Sequence, residues 1–322
     1  MSRFVHLHTH SHYSLLNALP KIDDLVDEAK KYGMKSLALT DAGNMYGAIE
    51  FYKQCTKKEI KPIIGVDAYV AARTRKDMQA GVDSRRTRLV LLAKDFTGYQ
   101  NLIKLVTFSH TEGFYYKPRI DRELISKYHD GIICIAPSFS SEISQALKSR
   151  DIEKAKEIIS FYKETFGQDF YLEITRHPEI DGHEALTNQL IKLGNETGTP
   201  LVAAHDVYYL HPEDRVARDT LMLVNTAGGD AAAERLNDSE DEDFSFISSE
   251  RAEELFKDIP EALDNTAKIA EMCNLKLELA KWTFPNYIVE SGLSYDDELR
   301  RIAYEGIPKR GLKVDDPEVV NR

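Results

Sequence analysis

Cysteine and long apolar runs are the first things this chain lacks. It has only 3 cysteines in 322 residues, at positions 55, 134 and 273, and none belongs to a C-x-x-C pair. An odd number of widely spaced cysteines argues against a disulfide framework and against a thiolate zinc site, so we expect a reducing compartment. No apolar run approaches the ~18 residues that a membrane-spanning helix needs, and no signal peptide is recognisable. We therefore expect a cytoplasmic protein with no membrane partner.

Positive charge is also in deficit. Lysine and arginine total 42 against 53 acidic residues, which gives a formal net charge of −11. A surface of this sign repels phosphate backbones overall, so a basic, stand-alone DNA-binding protein is excluded. The glycine-rich signatures of nucleotide-binding loops and the G-x-S-x-G signature of serine hydrolases are absent. What the chain does have is 42% hydrophobic residues, enough for a large core at this length.

The chain up to about residue 210 alternates β-type apolar runs with amphipathic helical stretches, a pattern typical of a parallel sheet with crossover helices. Seven strands in series predict a closed (β/α) barrel with its chemistry at the carboxyl ends of the strands. The predicted strands are Phe4–His10, Ser36–Asp41, Pro62–Val70, Arg88–Ala93, Gly131–Ala136, Asp169–Ile174 and Pro200–Asp206.

The character of the sequence changes after residue 225. An acidic stretch at residues 238–243 lies in a segment without hydrophobic periodicity, which is typical of a solvated loop. We predict a barrel over residues 1–225 and an acidic loop with a mostly helical extension over residues 226–281. Residues 282–322 have few large apolar side chains and cannot form a core alone, so we expect them to open a further module.

His8 and His10 are the most informative pair of residues. Side chains alternate along a strand, so these two project from the same face and can converge on one cation. The alternative, that they are hydrogen-bonded fillers of a polar barrel mouth, has equal weight on spacing alone. Asp41, Asp67 and Asp206 lie at predicted strand ends and would supply negative charge. Asp41 and Asp206 could equally cap the helices that follow them.

The segment from Gly113 to Asp121 combines aromatic residues with two cations. Lys117 and Arg119 could hold a phosphate or a neighbouring acid. The net charge favours the structural interpretation, in which buried aromatic rings and an Arg–Asp pair hold the loop in place.

Several motifs together resemble the PHP (polymerase and histidinol phosphatase) domain at the N-terminus of bacterial DNA polymerase III alpha subunits. The resemblance spans essentially the whole chain, and the segment after Trp282 resembles the family's lead-in to its polymerase module, which these 322 residues do not include. The motifs are FVHLHTHS from residue 4, YSLL from residue 13, LTD from residue 39, GNMYG from residue 43, KPIIG from residue 61, GFYYKPRID from residue 113, DVYYL from residue 206 and PEAL from residue 260.

The resemblance implies a distorted, TIM-like seven-stranded (β/α)7 barrel. In active members it implies about three metals on nine ligands and phosphoester hydrolysis, which some related polymerases use to proofread 3′ ends. The positions that match the ligand motif are His8, His10, Asp67, His110 and Asp206, with Asp67 where the family usually has Glu. The positions that depart from it are Asn17 for Asp, Ala42 for His, Ser138 for Cys or His, and Tyr208 for His.

The departures decide what activity we expect. An alanine methyl has no lone pair, an amide oxygen lacks a carboxylate's charge, a serine hydroxyl is a weak neutral ligand and a phenol resists ionisation. The remaining donors could hold one cation, zinc or manganese, but could not offset the mutual repulsion of several close divalent ions. We therefore predict a degenerate metal site with no catalytic residue that can be named.

The leading hypothesis is a structural and docking role in DNA replication. The domain would support the rest of the polymerase III alpha subunit, a DNA-directed DNA polymerase, and the proofreading exonuclease subunit. Contact with DNA and the need for magnesium would belong to the full-length protein. The alternative is an active metal-dependent phosphoesterase or 3′–5′ exonuclease in which Asp41, His12 or His205 compensates for lost ligands. A third hypothesis, an unrelated barrel amidohydrolase, lacks both a carboxylated lysine and a full histidine set at the strand ends.

Overall fold

The computed structural model describes residues 4–225, 242–282 and 284–321. The chain forms two compact units, Met1–Leu277 and Glu278–Arg322. Most of the predicted acidic loop, residues 226–241, lies outside the described residues. Within the described residues, none of the helices is both long enough and apolar enough to cross a membrane. The predicted boundaries at residues 225 and 281 stay predictions.

A curled mixed sheet with surrounding helices forms a half-barrel in the first unit, which confirms the predicted α/β class. The strand order is β4-β5-β2-β3-β6-β7-β8, and β1 pairs with β2. The strands are β1 Ser36–Leu39, β2 Lys61–Ala71, β3 Arg86–Ala93, β4 Phe114–Tyr115, β5 Lys117–Ile120, β6 Ile132–Ala136, β7 Phe170–Ile174 and β8 Leu201–Ala203.

Strand β3 runs against its neighbours, whereas the sequence pattern predicted a parallel sheet. β3 is antiparallel to both β2 and β6. The pairs β1 with β2, β2 with β5, β6 with β7, and β7 with β8 are parallel. Parallel neighbours need a crossover connection, usually a helix, and residues 72–85 between β2 and β3 form none. As a result, the amino end of β3 lies at the sheet edge where the parallel strands end.

The predicted first strand, Phe4–His10, forms only an isolated parallel bridge, between Thr9 and Val207. Its backbone still connects two parts of the sheet. The amide of Ala38 donates to the His6 carbonyl at 3.0 Å, and the amide of His10 donates to the Val207 carbonyl at 3.0 Å. The N-terminal segment therefore lies between β1 and the residues that follow β8. The hairpin of β4 and β5 was not predicted.

The helices begin with α1, whose buried residues Ile22, Leu25, Val26 and Ala29 match the predicted apolar face. Gly33, at φ +68, follows that helix as predicted. The helices of the first unit are α1 Ile22–Lys31, α2 Ala48–Lys57, α3 Phe96–Thr111, α4 Arg122–Lys127, α5 Glu142–Lys148, α6 Ile152–Phe166, α7 His183–Thr197, α8 Arg215–Asn225, α9 Ser249–Leu255 and α10 Pro260–Met272. Those of the second unit are α11 Tyr295–Lys309 and α12 Pro317–Val320.

The inner face of the curled sheet is apolar at one end and polar at the other. Val90 and Leu92 of β3 lie in a buried cluster with Ile269 and Ala270 of α10, which closes the apolar end. The alternation of side chains along a strand places Arg88 on the same face as Val90 and Leu92. Polar residues on this face therefore lie at the end away from α10, which we call the polar edge. The candidate site is at this edge.

Candidate metal centre

The predicted convergence of His8 and His10 is present in the structure. Nε2 of His8 lies 3.2 Å, and Nε2 of His10 lies 3.1 Å, from the same Oδ2 atom of Asp67. The two imidazole centroids are 5.1 Å apart, and all three side chains are buried. One carboxylate oxygen thus faces two ring nitrogens, which is a geometry that a cation or a shared proton can satisfy.

A second group forms on the other ring nitrogen of His8. Its Nδ1 lies 2.9 Å from Oε2 of Glu173 and 2.8 Å from Oδ1 of Asp206. Asp206 was predicted from its place at a strand end, but Glu173 was not. The sequence did carry a signal for Glu173, because it is the only charged residue in the otherwise apolar strand β7. A carboxylate on a buried strand is costly unless it has partners, so such a residue points to a polar site.

Arg88 is the other member of the cluster that the sequence did not reveal. One of its guanidinium nitrogens, Nη2, donates to Oδ2 of Asp67 and lies 3.5 Å from Nε2 of His10. Its Nη1 is 3.5 Å from the hydroxyl of Tyr208. Arg88 begins a predicted strand, and only the antiparallel direction of β3 brings that end to the polar edge.

Charge pairs govern the protonation of the cluster. Burial would raise the pKa of Asp67, but the charge of Arg88 and the hydrogen bonds from the two histidines hold it far below its usual range. Burial would lower the pKa of His8, but the charges of Asp206 and Glu173 raise it well above its ordinary value. Protonated His8 and Arg88 therefore supply positive charge where a metal would.

The four positions at which this chain differs from the family's ligand motif contribute no charged ligand. The Ser138 hydroxyl lies 2.6 Å from that of Thr175, and its amide donates to Glu173 at 3.1 Å. The Tyr208 ring stacks on His10 with centroids 4.4 Å apart. Ser138, Tyr208, Asn17 and Ala42 carry no imidazole, thiol or carboxylate, which are the donor types of the candidate metal-binding groups among the described residues.

His110 does not join the ligand groups that the structure forms among its described residues. Its Nε2 contacts the carbonyl oxygen of Gly43 at 3.0 Å, and the Gly43 amide donates to the Asp67 carbonyl at 2.9 Å. The histidine is therefore linked to the cluster through the backbone. A Cβ on Gly43, which has φ +69, would lie 2.9 Å from Pro118, so this close approach requires glycine.

Asp41, His12 and His205, which would have to replace lost ligands in an active hydrolase, make other contacts. The Asp41 carboxylate accepts from the amide and the hydroxyl of Ser11 at 2.7 and 2.8 Å. The His205 ring stacks on His177 at 5.1 Å, and the His12 ring packs against its chain neighbour. Neither Asp41, His12 nor His205 belongs to a metal-binding group among the residues described.

The two cations of the Gly113–Asp121 segment have different environments. Arg119 is fully buried and donates to the backbone carbonyls of Gly113, Asp83, Arg75 and Asp77 at 2.8 to 3.0 Å. It makes structural contacts. Lys117 is half-buried on β5 and lines a wide cleft at the polar edge.

The donors fit one cation better than several. The described residues form two possible three-ligand groups, and both need His8, which cannot bind a metal through a nitrogen that carries a proton. A metal on Asp67 would also have to displace Arg88. The group of His8, Glu173 and Asp206 fits better, because among the described residues no arginine or lysine nitrogen lies within 4.0 Å of its two carboxylates. A metal held there would act as a Lewis acid and lower the pKa of a bound water.

Comparisons with known proteins show the family of the chain. The PHP domain matches residues 6–177, just over half of the chain. The DNA polymerase III subunit alpha of Borreliella burgdorferi is 43% identical over 290 residues, covering 89% of this chain and 25% of the relative. That of Treponema pallidum is 37% identical over 310 residues, covering 95% of this chain and 26% of the relative.

Among solved structures, an amidohydrolase from Chromobacterium violaceum has a TM-score of 0.43 and 13% identity, covering 63% of this chain and 87% of that one. This overlap is too loose to carry an argument. The chain spans about a quarter of the length of the curated relatives it matches. The matched residues contain His8, His10, Asp67 and Glu173 of the cluster described above. The chain belongs to the PHP domain family.

Proposed function

We propose that this chain is the PHP region of a DNA polymerase III alpha subunit, in which internal charge pairs have replaced the multi-metal hydrolytic centre. Its role in DNA replication is then to support the polymerase module and to dock the proofreading exonuclease subunit in the cytoplasm. The single observation that carries the proposal is the guanidinium of Arg88 on the Asp67 carboxylate.

Arg88 explains why the site can be stable without several metals. A buried carboxylate facing two histidines needs positive charge nearby, and a guanidinium supplies it permanently because its pKa lies above 12. Unlike a metal, a guanidinium cannot lower the pKa of a bound water enough to make a nucleophile. The side chains of the cluster therefore stay paired and buried, but the cluster cannot activate a water for hydrolysis.

A single zinc or manganese ion on His8, Glu173 and Asp206 is compatible with this proposal. The geometry supplies one imidazole and two carboxylates around one point. Magnesium would be needed only by the polymerase module of the full-length protein.

Metal content and turnover test the proposal. The purified chain is analysed for bound metal and assayed with manganese on a 3′-mismatched primer and on a simple phosphomonoester. We expect at most one ion per chain and no turnover. Turnover that disappears in both His8→Ala and Asp206→Ala, but persists in the control His129→Ala, would overturn the proposal.

A metal-dependent phosphoesterase or 3′–5′ exonuclease is the second candidate function. The observation that favours it is Glu173, a buried carboxylate that adds a donor beyond those matched from the sequence. Under this hypothesis turnover requires manganese and is lost in Glu173→Gln. The same assay therefore decides between the two functions.

The docking role has its own test. The chain is immobilised and exposed to the proofreading exonuclease subunit and, separately, to the remainder of the alpha subunit. Retention of both at micromolar concentration is the expected result. Failure of the chain to retain either one would contradict the supporting role even if the chain has no hydrolytic activity.

A further inference from the structure

A wide cleft opens at the polar edge of the sheet, beside the metal centre, with a volume of about 1020 Å³. Its charged lining is of one sign, because no aspartate or glutamate is among the described residues that line it. The lining cations are Arg85, Arg86, Arg88, Lys117 and Lys148. A chain with a net charge of −11 thus presents a concave surface that is locally basic.

Most of this positive charge is not neutralised. Arg88 pairs with Asp67, but across residues 4–225, 242–282 and 284–321 no carboxylate oxygen lies within 4.0 Å of the charged nitrogens of Arg85, Arg86 or Lys117. Burial lowers the pKa of Lys117, and the charges of Arg86 and Arg88 lower it further. Cations that repel one another within a cleft are typical of an anion-binding site.

The cleft is also lined by exposed aromatic rings. Tyr46, Phe114 and Tyr116 line it and are 60%, 54% and 68% exposed. Tyr116 lies in the turn between β4 and β5 at φ +59, a left-handed conformation that is unfavourable for a bulky side chain. Glycine or asparagine would fit such a turn with less strain. Strained residues of this kind cluster at functional sites, so Tyr116 is a candidate contact residue.

We propose that this cleft binds a short stretch of single-stranded DNA without cleaving it. Cations that follow the backbone and aromatic rings on which bases stack are the two elements of sequence-independent single-strand binding. A duplex keeps its bases stacked on one another and has no faces to offer to these rings. An acidic peptide would use the cations but not the rings. The choice of DNA over RNA rests on the proposed function.

Fluorescence anisotropy tests this inference on the whole chain, with a labelled 12-nucleotide oligothymidylate in low salt and EDTA. We expect saturable binding that weakens as salt is added, because bound phosphates release counterions. Tyr116→Ala removes one stacking ring and should weaken binding about tenfold. Arg86→Gln and Lys117→Gln should each weaken binding and reduce the salt dependence, by roughly 0.7 in the slope of log K against log salt.

Lys53→Gln is the matched control, since Lys53 is an exposed lysine of α2 that does not line the cleft. Binding unchanged in this variant supports the cleft. Equal loss in Lys53→Gln and Lys117→Gln, absence of binding by the unmodified chain, or binding unaffected by Tyr116→Ala would each overturn the inference. Tighter binding of oligouridylate than of oligothymidylate would overturn the assignment to DNA. Equal competition by polyglutamate would assign the cleft to acidic peptides.

The binding assay is independent of the hydrolysis assay. EDTA removes metal, so binding can be measured whether or not the metal centre is active. Turnover with manganese would contradict the supporting role and leave the cleft assignment in place. Failure of the chain to bind the oligonucleotide would likewise contradict the cleft assignment and leave the proposed charge pairing of Arg88 with Asp67 in place.

Discussion

Arg88 donates to the one carboxylate oxygen of Asp67 that both His8 and His10 also contact. The Asp67 side chain is 0% exposed, and the Arg88 side chain is 17% exposed. A guanidinium in this position neutralises a buried carboxylate and occupies the space that a metal on Asp67 would need. The consequences of removing it are specific enough to measure.

Replacement of Arg88 by glutamine should destabilise the fold and open the site to metal. The substitution leaves Asp67 as a buried charge without its partner, which should lower the free energy of unfolding by ~3–5 kcal/mol. Urea unfolding in EDTA measures this loss. Manganese at about a hundred times its dissociation constant should then restore ~2.7 kcal/mol in the variant.

The control for this experiment is Arg86→Gln, two residues earlier on the same strand. Arg86 donates to the Ser84 carbonyl at 3.0 Å and pairs with no carboxylate among the described residues. The free energy of unfolding of Arg86→Gln should therefore fall by less than ~1 kcal/mol. Equal stability of the two variants in EDTA would show that Arg88 does not stabilise Asp67.

Glu173→Gln should lower the pKa of His8. The amide keeps the shape of the side chain, and its oxygen can still accept from the Ser138 amide, but the negative charge beside the His8 imidazole is lost. NMR titration of the His8 ring measures the shift. In the control, Glu142→Gln, the lost carboxylate pairs with Arg122, and the His8 titration should not move. An unchanged pKa in Glu173→Gln would contradict the charge pairing.

The fold should lose stability as the pH falls below neutrality. Burial lowers the pKa of His6 and of His183 to about 4, and that of His205 to about 3. Each of these histidines binds a proton near pH 6.5 when unfolded, so between pH ~6.5 and ~4 the unfolded chain holds more protons. Each group can therefore remove up to ~1.4 kcal/mol per pH unit over that window.

Two other groups set the limits of this pH effect. His8, with a raised pKa, stabilises the fold most below pH ~6.5 and loses that contribution as the pH rises through its folded value, which opposes the trend. Asp67, with a lowered pKa, adds to the loss only below about pH 4. Urea unfolding at pH 7.5, 6 and 5 measures the sum. His183→Gln should flatten the dependence and the more exposed His129→Gln should not, and a pH-independent stability would disprove the argument.

Arg119→Met should destabilise the first unit through its backbone. The guanidinium donates to four carbonyl oxygens. Methionine fills the space but leaves three of them, on Asp83, Arg75 and Asp77, without a donor among the described residues, whereas the Gly113 carbonyl still accepts from the Arg119 amide. Unsatisfied buried acceptors cost ~1–3 kcal/mol each, so the loss should reach several kcal/mol in urea unfolding. Lys117→Met, two residues away and half-buried, serves as control. Comparable stability of the two variants would mean that Arg119 is not a structural residue.

Periodicity and local propensity account for much of what was predictable. The core face of α1, six of the seven predicted strands and the convergence of His8 with His10 follow from short-range patterns, and the structure contains them. The N-terminal segment is the exception. Its hydrogen bonds go partly to β1 and partly to the residues after β8, and it forms no regular ladder with either, which no local pattern encodes.

The candidate site was predictable only in part, for a related reason. Residues at the carboxyl ends of parallel strands were expected at the mouth, and Asp206 lies there beside His8. Glu173 was missed although it is the only charged residue of β7, because the sequence does not show which side chains surround it in the fold. His110 matched a motif, yet the fold connects it to the Gly43 carbonyl instead of to the other ligands.

The sequence by itself determined the α/β class, the family and the residue types available for metal binding, because these depend on spacing along the chain and on side-chain chemistry. Only the tertiary structure decided that β3 runs against its neighbours and so brings Arg86 and Arg88 to the polar edge. Strand direction depends on which segments pair across long sequence separations. That choice places a permanent positive charge on Asp67 and basic residues along the cleft.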